Sequence, residues 1–150
     1  EKFNIPILIS AHPRTRKKIE REKIDLPELA IMHKPLSYSD YSKLQTTAKV
    51  VLSDSGSITE ESSILNFPAL NIREAHERPE GFEEAVVMMT GLEFDRVLAG
   101  IEILSNQDRG EKRLINVVDD YMSPNLSEKM VRIILSHVNF INQRVWKKDI

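Results

Sequence analysis

The chain has 150 residues, and 21 Lys and Arg side chains nearly balance 23 Asp and Glu, which gives a formal net charge of −2. This balance excludes the broad positive field with which proteins gather nucleic acid or anionic lipid. The lack of cysteine excludes disulfides and thiolate zinc sites, and no apolar run approaches the roughly 18 residues of a membrane span. We therefore expect a cytoplasmic protein that binds neither nucleic acid nor membrane.

The sequence begins at Glu1 rather than at methionine, and the apolar run Ile-Pro-Ile-Leu-Ile follows from residue 5. A chain of this length fits one domain of common size. The early strand signal predicts that the chain is a piece of a longer protein. In this interpretation, residues 1–125 form a domain whose start is truncated, and residues 126–150 form a C-terminal helix.

Short apolar runs alternate with segments that carry helix signals over the first 90 residues. Runs that are apolar on both faces suit strands with helices packed on each side. The predicted strands are 5–9, 50–52, 69–72 and 85–89. The predicted helices between them are 14–23, 38–48 and 55–65. This alternation predicts an α/β domain with a Rossmann-like parallel sheet flanked by helices.

Two further helices are predicted at 92–104 and at 126–146. The second has an unusual number of apolar side chains, and they occupy more than one face of the helix. They are Met130, Val131, Ile133, Ile134, Leu135, Val138, Phe140, Ile141, Val145 and Trp146. Since a surface helix normally has one apolar stripe, this pattern predicts a second packing partner.

The strand at 50–52 runs into a turn of small polar residues, Asp54-Ser55-Gly56, before the next helix begins. Ligands of open α/β folds bind at the carboxyl ends of parallel strands. The unpaired amides and positive dipole of the helix would attract an anion, and Gly56 would let a phosphate approach the backbone. The alternative is an ordinary turn in which Asp54 and Ser55 only cap the helix.

Ser57 and Glu60 have the spacing of a capping box, and Glu61 follows directly. Adjacent helical residues point about 100° apart, so the two glutamates cannot share a role. One of them should face the ligand and accept hydrogen bonds from a ribose diol. The alternative is a solvated helical glutamate, which we favour for Glu60.

Charged residues crowd the segment 73–80, which follows the third predicted strand. Pro79 suits the first turn of a helix, so the segment predicts a second binding loop beside the first. Arg78 could pair with a phosphate there. The alternative is a surface ion pair between Arg78 and either Glu77 or Glu80.

The remaining motifs give weaker signals. His12 ends the first strand, and the basic residues behind it are interrupted by acidic ones, as on a solvated helix face. His33, His76 and His137 lack metal-ligand spacing, so no metal site is expected. The dinucleotide fingerprint, the P-loop and the nucleophile elbow are all missing from the sequence, so we expect no cofactor and a binding role rather than a catalytic one.

Three motifs together resemble the non-hydrolysing UDP-N-acetylglucosamine 2-epimerase family: Asp54-Ser55-Gly56, Glu60-Glu61 and Glu77-Arg78-Pro79-Glu80. The stretch EESSILNFPALNIREAHERPEG and the ending VNFINQRVWKK are similar to the branch that makes UDP-N-acetyl-L-fucosamine for capsule and O-antigen. The resemblance covers nearly all 150 residues but only the carboxyl-terminal half of the family.

The resemblance implies one half of a glycosyltransferase-B-like enzyme, with the nucleotide sugar between its two domains. It implies that Ser55 and Gly56 hold the diphosphate, Glu61 the ribose hydroxyls and Arg78 the nucleotide. It further implies that Tyr41 lies against uracil and that His12 lies near the diphosphate. Ser57 stands where the family usually has Gly or Thr, which affects the fine geometry of the phosphate turn.

The reaction implied by the resemblance is elimination of UDP from a UDP-N-acetylhexosamine, followed by re-addition with inversion at C2. No catalytic residue is expected in this chain, because the family's acid and base groups belong to the amino-terminal domain. The full-length protein is expected to be a homodimer, and the helix at 126–146 to cross to the amino-terminal domain. The alternatives are half of a UDP-sugar-dependent glycosyltransferase and a nucleotide-binding module without chemistry.

Overall fold

The structure is a computed structural model that describes residues 2–75 and 77–148. His76, a member of the predicted second binding loop, lies outside the described residues. The chain divides into two compact units, Glu1–Leu44 and Gln45–Ile150. Within the described ranges, no helix is long and apolar enough to cross a membrane.

The first unit contains a pair of parallel strands with a helix between them. Strand β1 (Ile7–Ile9) pairs with β2 (Ala30–Met32), and α1 (Pro13–Arg21) connects them. Pro13 occupies the first turn of α1, where its fixed φ is already helical and its missing N–H is not needed. Helix α2 (Tyr38–Thr47) follows and continues past the boundary of the unit. Strand β2 was not predicted, although its three apolar residues form a run as long as the predicted strand 50–52.

The second unit is built on a three-stranded parallel sheet in the order β3-β4-β5. Its strands are β3 (Val51–Ser53), β4 (Ala69–Asn71) and β5 (Met88–Met89). Its α-helices are α3 (Ile58–Leu65), α4 (Pro79–Glu83), α5 (Phe94–Leu104) and α6 (Leu126–Phe140). A 3-10 turn at Asp119–Met122 precedes α6, and a π-helical turn at Ile141–Val145 follows it. The α/β prediction with parallel strands and flanking helices is confirmed.

The core of the second unit surrounds its central strand. All three residues of β4 are buried, and α3 and α5 both pack against this strand. Phe67 and Leu70 are completely buried, and Ile58 from α3 is 1% exposed. The edge strand β3 is less covered, since Leu52 is 44% exposed, so the prediction of strands covered on both faces applies fully to β4.

Helix α3 is fixed at its C-terminal end by side chains from distant parts of the unit. Asn66 ends the helix in the left-handed conformation at φ 52°, a common way to stop a helix. The Arg113 guanidinium donates to the carbonyls of Ser63 and Ile64, at 2.7 Å each. The buried Ser62 hydroxyl donates to the Phe67 carbonyl at 2.7 Å. These bonds hold the helix that carries Glu60 and Glu61.

The capping box predicted at the start of α3 is wrong. The helix begins at Ile58, and Ser57 has helical backbone angles and makes no capping bond with its side chain. Its hydroxyl donates instead to Oε1 of Glu61 at 3.1 Å. Glu60 does not complete the motif, because its carboxylate is bound to an arginine from another element.

Helix α6 exposes every one of its residues within Leu126–Phe140. Val131 and Ile133, two positions apart and therefore on different faces, are 55% and 52% exposed. The apolar side chains therefore lie on more than one face, as the sequence indicates. The proposed crossing of this helix to another domain stays a prediction.

We expect that replacing Gly100 by Ala destabilises the second unit. A Cβ at this position of α5 would lie 2.9 Å from Cδ2 and 3.2 Å from Cδ1 of Leu70. Overpacking typically costs about 1–3 kcal/mol, whereas Ala in a helix interior gains about 1 kcal/mol over Gly. Leu70 is completely buried and cannot move aside, so the loss should exceed the gain. The urea midpoint of unfolding measures the difference.

The matched control combines Gly100→Ala with Leu70→Ala, which removes the two Leu70 methyl groups and leaves Cγ2 of Thr90, at 3.2 Å, as a remaining close neighbour of the new Cβ. In the Leu70→Ala background, the loss of stability caused by Gly100→Ala should become smaller or turn into a gain. An unchanged or higher midpoint for the single variant would contradict the close packing of α5 on β4.

Candidate functional site

The turn after β3 leaves the N-terminus of α3 open. Ser55 and Ser57 are exposed, and Gly56 is half-buried. The Ser55 amide donates to the Ser53 hydroxyl at 3.1 Å, which shapes the turn before the helix starts. The side chain of Ser57, the N-cap residue of α3, makes no capping hydrogen bond. The positive dipole end of α3 is therefore available to an anion.

The Arg78 guanidinium lies beside Gly56. A Cβ built on Gly56 would lie 3.9 Å from both Cζ and Nη1 of Arg78, and 3.3 Å from Oε2 of Glu77. Arg78 is the N-cap residue of α4, and Pro79 starts that helix. Glycine at position 56 thus keeps the space between the turn and the guanidinium clear.

An ion pair with Glu60 fixes the Arg78 side chain. Nε of Arg78 donates to Oε1 of Glu60 at 2.5 Å, and Nη1 donates to the Glu77 carbonyl at 3.1 Å. The hydrogen bond that Arg78 donates to Glu60, and then the Glu60 charge, raise the pKa of Arg78. The other Glu60 oxygen is buried and has no hydrogen-bond partner among the described residues.

Two sequence-based alternatives are therefore wrong. Glu60 is not a solvated helical glutamate, and the ion pair of Arg78 is not with Glu77 or Glu80. Glu77 instead accepts from Arg73 at 2.8 Å, and this hydrogen bond holds the pKa of Glu77 below its ordinary value. The spacing along the chain could not reveal the Glu60 pair, because its partners belong to different helices.

Glu61 is held by a different set of contacts from Glu60, as the helical geometry predicts. Its Oε2 accepts from Nε2 of Gln45 at 2.5 Å, and its Oε1 accepts from the Ser57 hydroxyl at 3.1 Å. The Ser57 hydroxyl also lies 3.1 Å from that of Ser55. A continuous polar chain thus connects the turn to the Glu61 carboxylate.

Helix α4 is held by contacts with α3 and with the 3-10 turn that carries Tyr121. Gly81 lies so close to Thr59 that a Cβ there would collide with the Thr59 methyl group. The Tyr121 hydroxyl donates to Oε1 of Glu80 at 2.9 Å, and burial, together with Glu80, raises the pKa of the Tyr121 phenol. Because α4 starts immediately after Arg78, these contacts also fix where its guanidinium lies.

His12 and Tyr41 belong to the first unit. His12 caps α1, and its Nδ1 accepts from the Arg14 amide at 3.2 Å. Tyr41 lies on α2 and is half-buried. Their predicted contacts with diphosphate and uracil stay predictions, whereas Ser55, Gly56, Glu61 and Arg78 are brought together within the second unit.

Sequence reasoning missed the supporting residues of this site. Gln45 lies in a polar stretch without a motif, and Tyr121 lies far along the chain from Glu80. No local pattern signals either contact, because each forms only when separate elements pack. Among the residues that the structure describes, no group of three or more His, Asp or Glu could hold a metal ion.

Sequence comparison finds relatives among UDP-N-acetylglucosamine 2-epimerases. The family model described as UDP-N-acetylglucosamine 2-epimerase matches residues 1–135. The Methanocaldococcus jannaschii protein named UDP-N-acetylglucosamine 2-epimerase is 28% identical over 138 residues, 89% of this chain and 36% of the relative. A Campylobacter jejuni protein of the same name is 27% identical over 139 residues, 91% of this chain and 36% of the relative.

Solved structures with this name have the same fold. The UDP-N-acetylglucosamine 2-epimerase of Rickettsia bellii superposes with a TM-score of 0.83 at 44% identity. This match covers 98% of the present chain and 40% of the Rickettsia chain. The structure of Methanocaldococcus jannaschii UDP-GlcNAc 2-epimerase in complex with UDP-GlcNAc and UDP superposes with a TM-score of 0.76 at 27% identity. This match covers 90% of the present chain and 37% of the Methanocaldococcus chain.

This chain therefore spans about two fifths of the length of the proteins that it matches. The family match extends from residue 1 to residue 135 of 150, and the likeness in structure covers nearly the whole chain. On this basis the chain belongs to the UDP-N-acetylglucosamine 2-epimerase family.

Proposed function

We propose that this chain supplies the UDP-binding part of a UDP-N-acetylhexosamine 2-epimerase. The observation that carries the proposal is the position of the Arg78 guanidinium, 3.9 Å from where a Cβ of Gly56 would lie. A phosphate placed against Gly56 would meet the uncapped end of α3 on one side and a fixed positive charge on the other.

Ser55 and Gly56 are proposed to hold the diphosphate together with Arg78. A guanidinium has five N–H donors, and the contacts of Arg78 with Glu60 and Glu77 use two of them among the described residues. The others can donate to phosphate oxygens while the ion pair with Glu60 stays in place. The ligand would therefore find the arginine already oriented.

Glu61 is proposed to bind the ribose hydroxyls. An ionised carboxylate only accepts hydrogen bonds, and each of its oxygens has room for more than one donor. Gln45 and Ser57 occupy one position on each oxygen, so a diol can still donate to both. For the first unit, we propose that Tyr41 lies against uracil and that His12 lies near the diphosphate.

The proposed reaction is elimination of UDP from C1 and of a proton from C2 of the sugar, which gives a 2-acetamidoglycal. UDP then adds back at C1, and a proton adds to the opposite face of C2. The departing UDP carries negative charge, so the α3 terminus and Arg78 would stabilise the transition state as well as the bound nucleotide. The named relatives support this reaction, and one of them was solved with UDP-GlcNAc and UDP. We propose that the acid and base groups lie outside these 150 residues.

The setting of the reaction is part of the proposal. The similarity to the branch that forms UDP-N-acetyl-L-fucosamine favours a cytoplasmic, homodimeric enzyme that makes precursors of bacterial surface polysaccharides such as capsule or O-antigen. Helix α6, with apolar side chains exposed on several faces, is the proposed crossing to the domain that carries the acid and base groups.

We expect Glu61→Gln to weaken UDP binding about 10- to 100-fold, because it removes charge-assisted hydrogen bonds to the ribose. Isothermal titration calorimetry of the protein expressed from its complete reading frame measures this change. The same variant should bind 2′-deoxy-UDP nearly as well as the wild type does, since that ligand lacks a hydroxyl of the diol. Glu84→Gln, an exposed position at the end of α4, is the matched control.

Arg78→Met should also weaken UDP binding about 10- to 100-fold, through the loss of phosphate contacts. Uridine, which has no phosphate, should bind this variant and the wild type equally. Because the substitution leaves the half-buried Glu60 carboxylate without its partner, Glu60→Gln/Arg78→Met is the companion variant. Equal losses for UDP and uridine in both variants would place the phosphate elsewhere.

The 150-residue chain alone should bind UDP yet leave a UDP-N-acetylhexosamine unchanged, because the proposed acid and base groups are not in it. The protein from the complete reading frame should interconvert the C2 epimers without any acceptor, as followed by proton NMR. Turnover by the short chain would contradict the proposed location of the acid and base groups. A strict need for an acceptor would instead indicate a glycosyltransferase.

A further inference from the structure

The buried amide of Gln45 lies beside the predicted ribose-binding carboxylate. Gln45 is in the last turn of α2 and only 3% exposed. Its Nε2 donates to Oε2 of Glu61 at 2.5 Å, which sets the orientation of the amide. Its Oε1 is buried and has no hydrogen-bond partner among the described residues.

This burial is unfavourable for the fold considered alone. A buried amide must be desolvated, and a buried carbonyl without a partner is not compensated. Methionine has a similar length and no polar group to satisfy, so it would fill the same space without that penalty. The feature that only the amide provides is the hydrogen bond to Glu61.

We propose that Gln45 is a positioning residue that orients the Glu61 carboxylate towards the ligand diol; this inference rests on the function proposed above. Gln45 reaches Oε2 from α2, and Ser57 reaches Oε1 from the turn, so the carboxylate is held at both oxygens. A glutamate side chain has several rotatable bonds, and ordering them in advance lowers the cost of binding. Gln45 thus acts on affinity for ribose through Glu61 and does not touch the nucleotide.

The test replaces Gln45 by Met in the protein expressed from its complete reading frame. UDP affinity, measured by calorimetry, should fall about 3- to 30-fold, the loss expected for one hydrogen bond to a charged group. Affinity for 2′-deoxy-UDP should change much less, because the oriented carboxylate then has fewer hydroxyls to bind. Thermal unfolding should show a midpoint equal to or above that of the wild type.

A double-mutant cycle with Glu61→Gln isolates the coupling between the two side chains. Once Glu61 is changed, Gln45→Met should have little further effect on UDP affinity. Gln45→Leu serves as a second apolar variant if Met folds poorly. Within each variant, the comparison of UDP with 2′-deoxy-UDP does not depend on the amount of folded protein.

Two results would overturn the inference alone: unchanged UDP affinity in Gln45→Met, or equal losses for UDP and 2′-deoxy-UDP. If Glu61→Gln still weakens UDP binding, either result would show that Gln45 has a purely structural role. If Glu61→Gln itself leaves UDP affinity unchanged, the proposed role of Glu61 is wrong. The proposed role of Gln45 is then wrong as well, because it depends on Glu61.

Discussion

The ion pair between Arg78 and Glu60 is the interaction on which the candidate site depends. It joins the start of α4 to the first turn of α3, and it places a positive charge beside the glycine of the phosphate turn. Without a partner, the half-buried Glu60 carboxylate would repel any anion at that helix end. The pair therefore both aligns the two helices and makes the turn suitable for phosphate.

Contacts elsewhere in the second unit hold the two helices that this ion pair joins. Helix α3 is tied at its C-terminal end by Arg113 and Asn66, which bind backbone carbonyls about one helix length away from the turn. Helix α4 is held by the contact of Gly81 with Thr59 and by the hydrogen bond from Tyr121 to Glu80. The site residues thus lie on elements whose positions are set by contacts outside the site.

The sequence was sufficient for features that depend on local pattern. The α/β class, the turn at Gly56 and the start of α4 at Pro79 follow from apolar period, small residues and proline geometry. The partners of Glu60 and Glu61 could not be predicted, because ion pairs and hydrogen bonds between helices depend on packing that has no local signature. The capping-box prediction failed because Ser57 donates to Glu61 within the same helix start, while Glu60 is bound to Arg78 from another element.

Acidic side chains are an unusual setting for a diphosphate, and the contacts of Glu60, Glu61 and Glu77 explain how the turn at Gly56 could serve. Glu60 is paired with Arg78 and Glu77 with Arg73, so both charges are compensated locally. Glu61 receives two neutral donors instead of a cation. In the proposed site it would keep its charge for hydroxyl donors, while the compensated pair would leave the α3 terminus to the phosphates. The proposed division between sugar and phosphate recognition would follow from which carboxylates have an arginine partner and which does not.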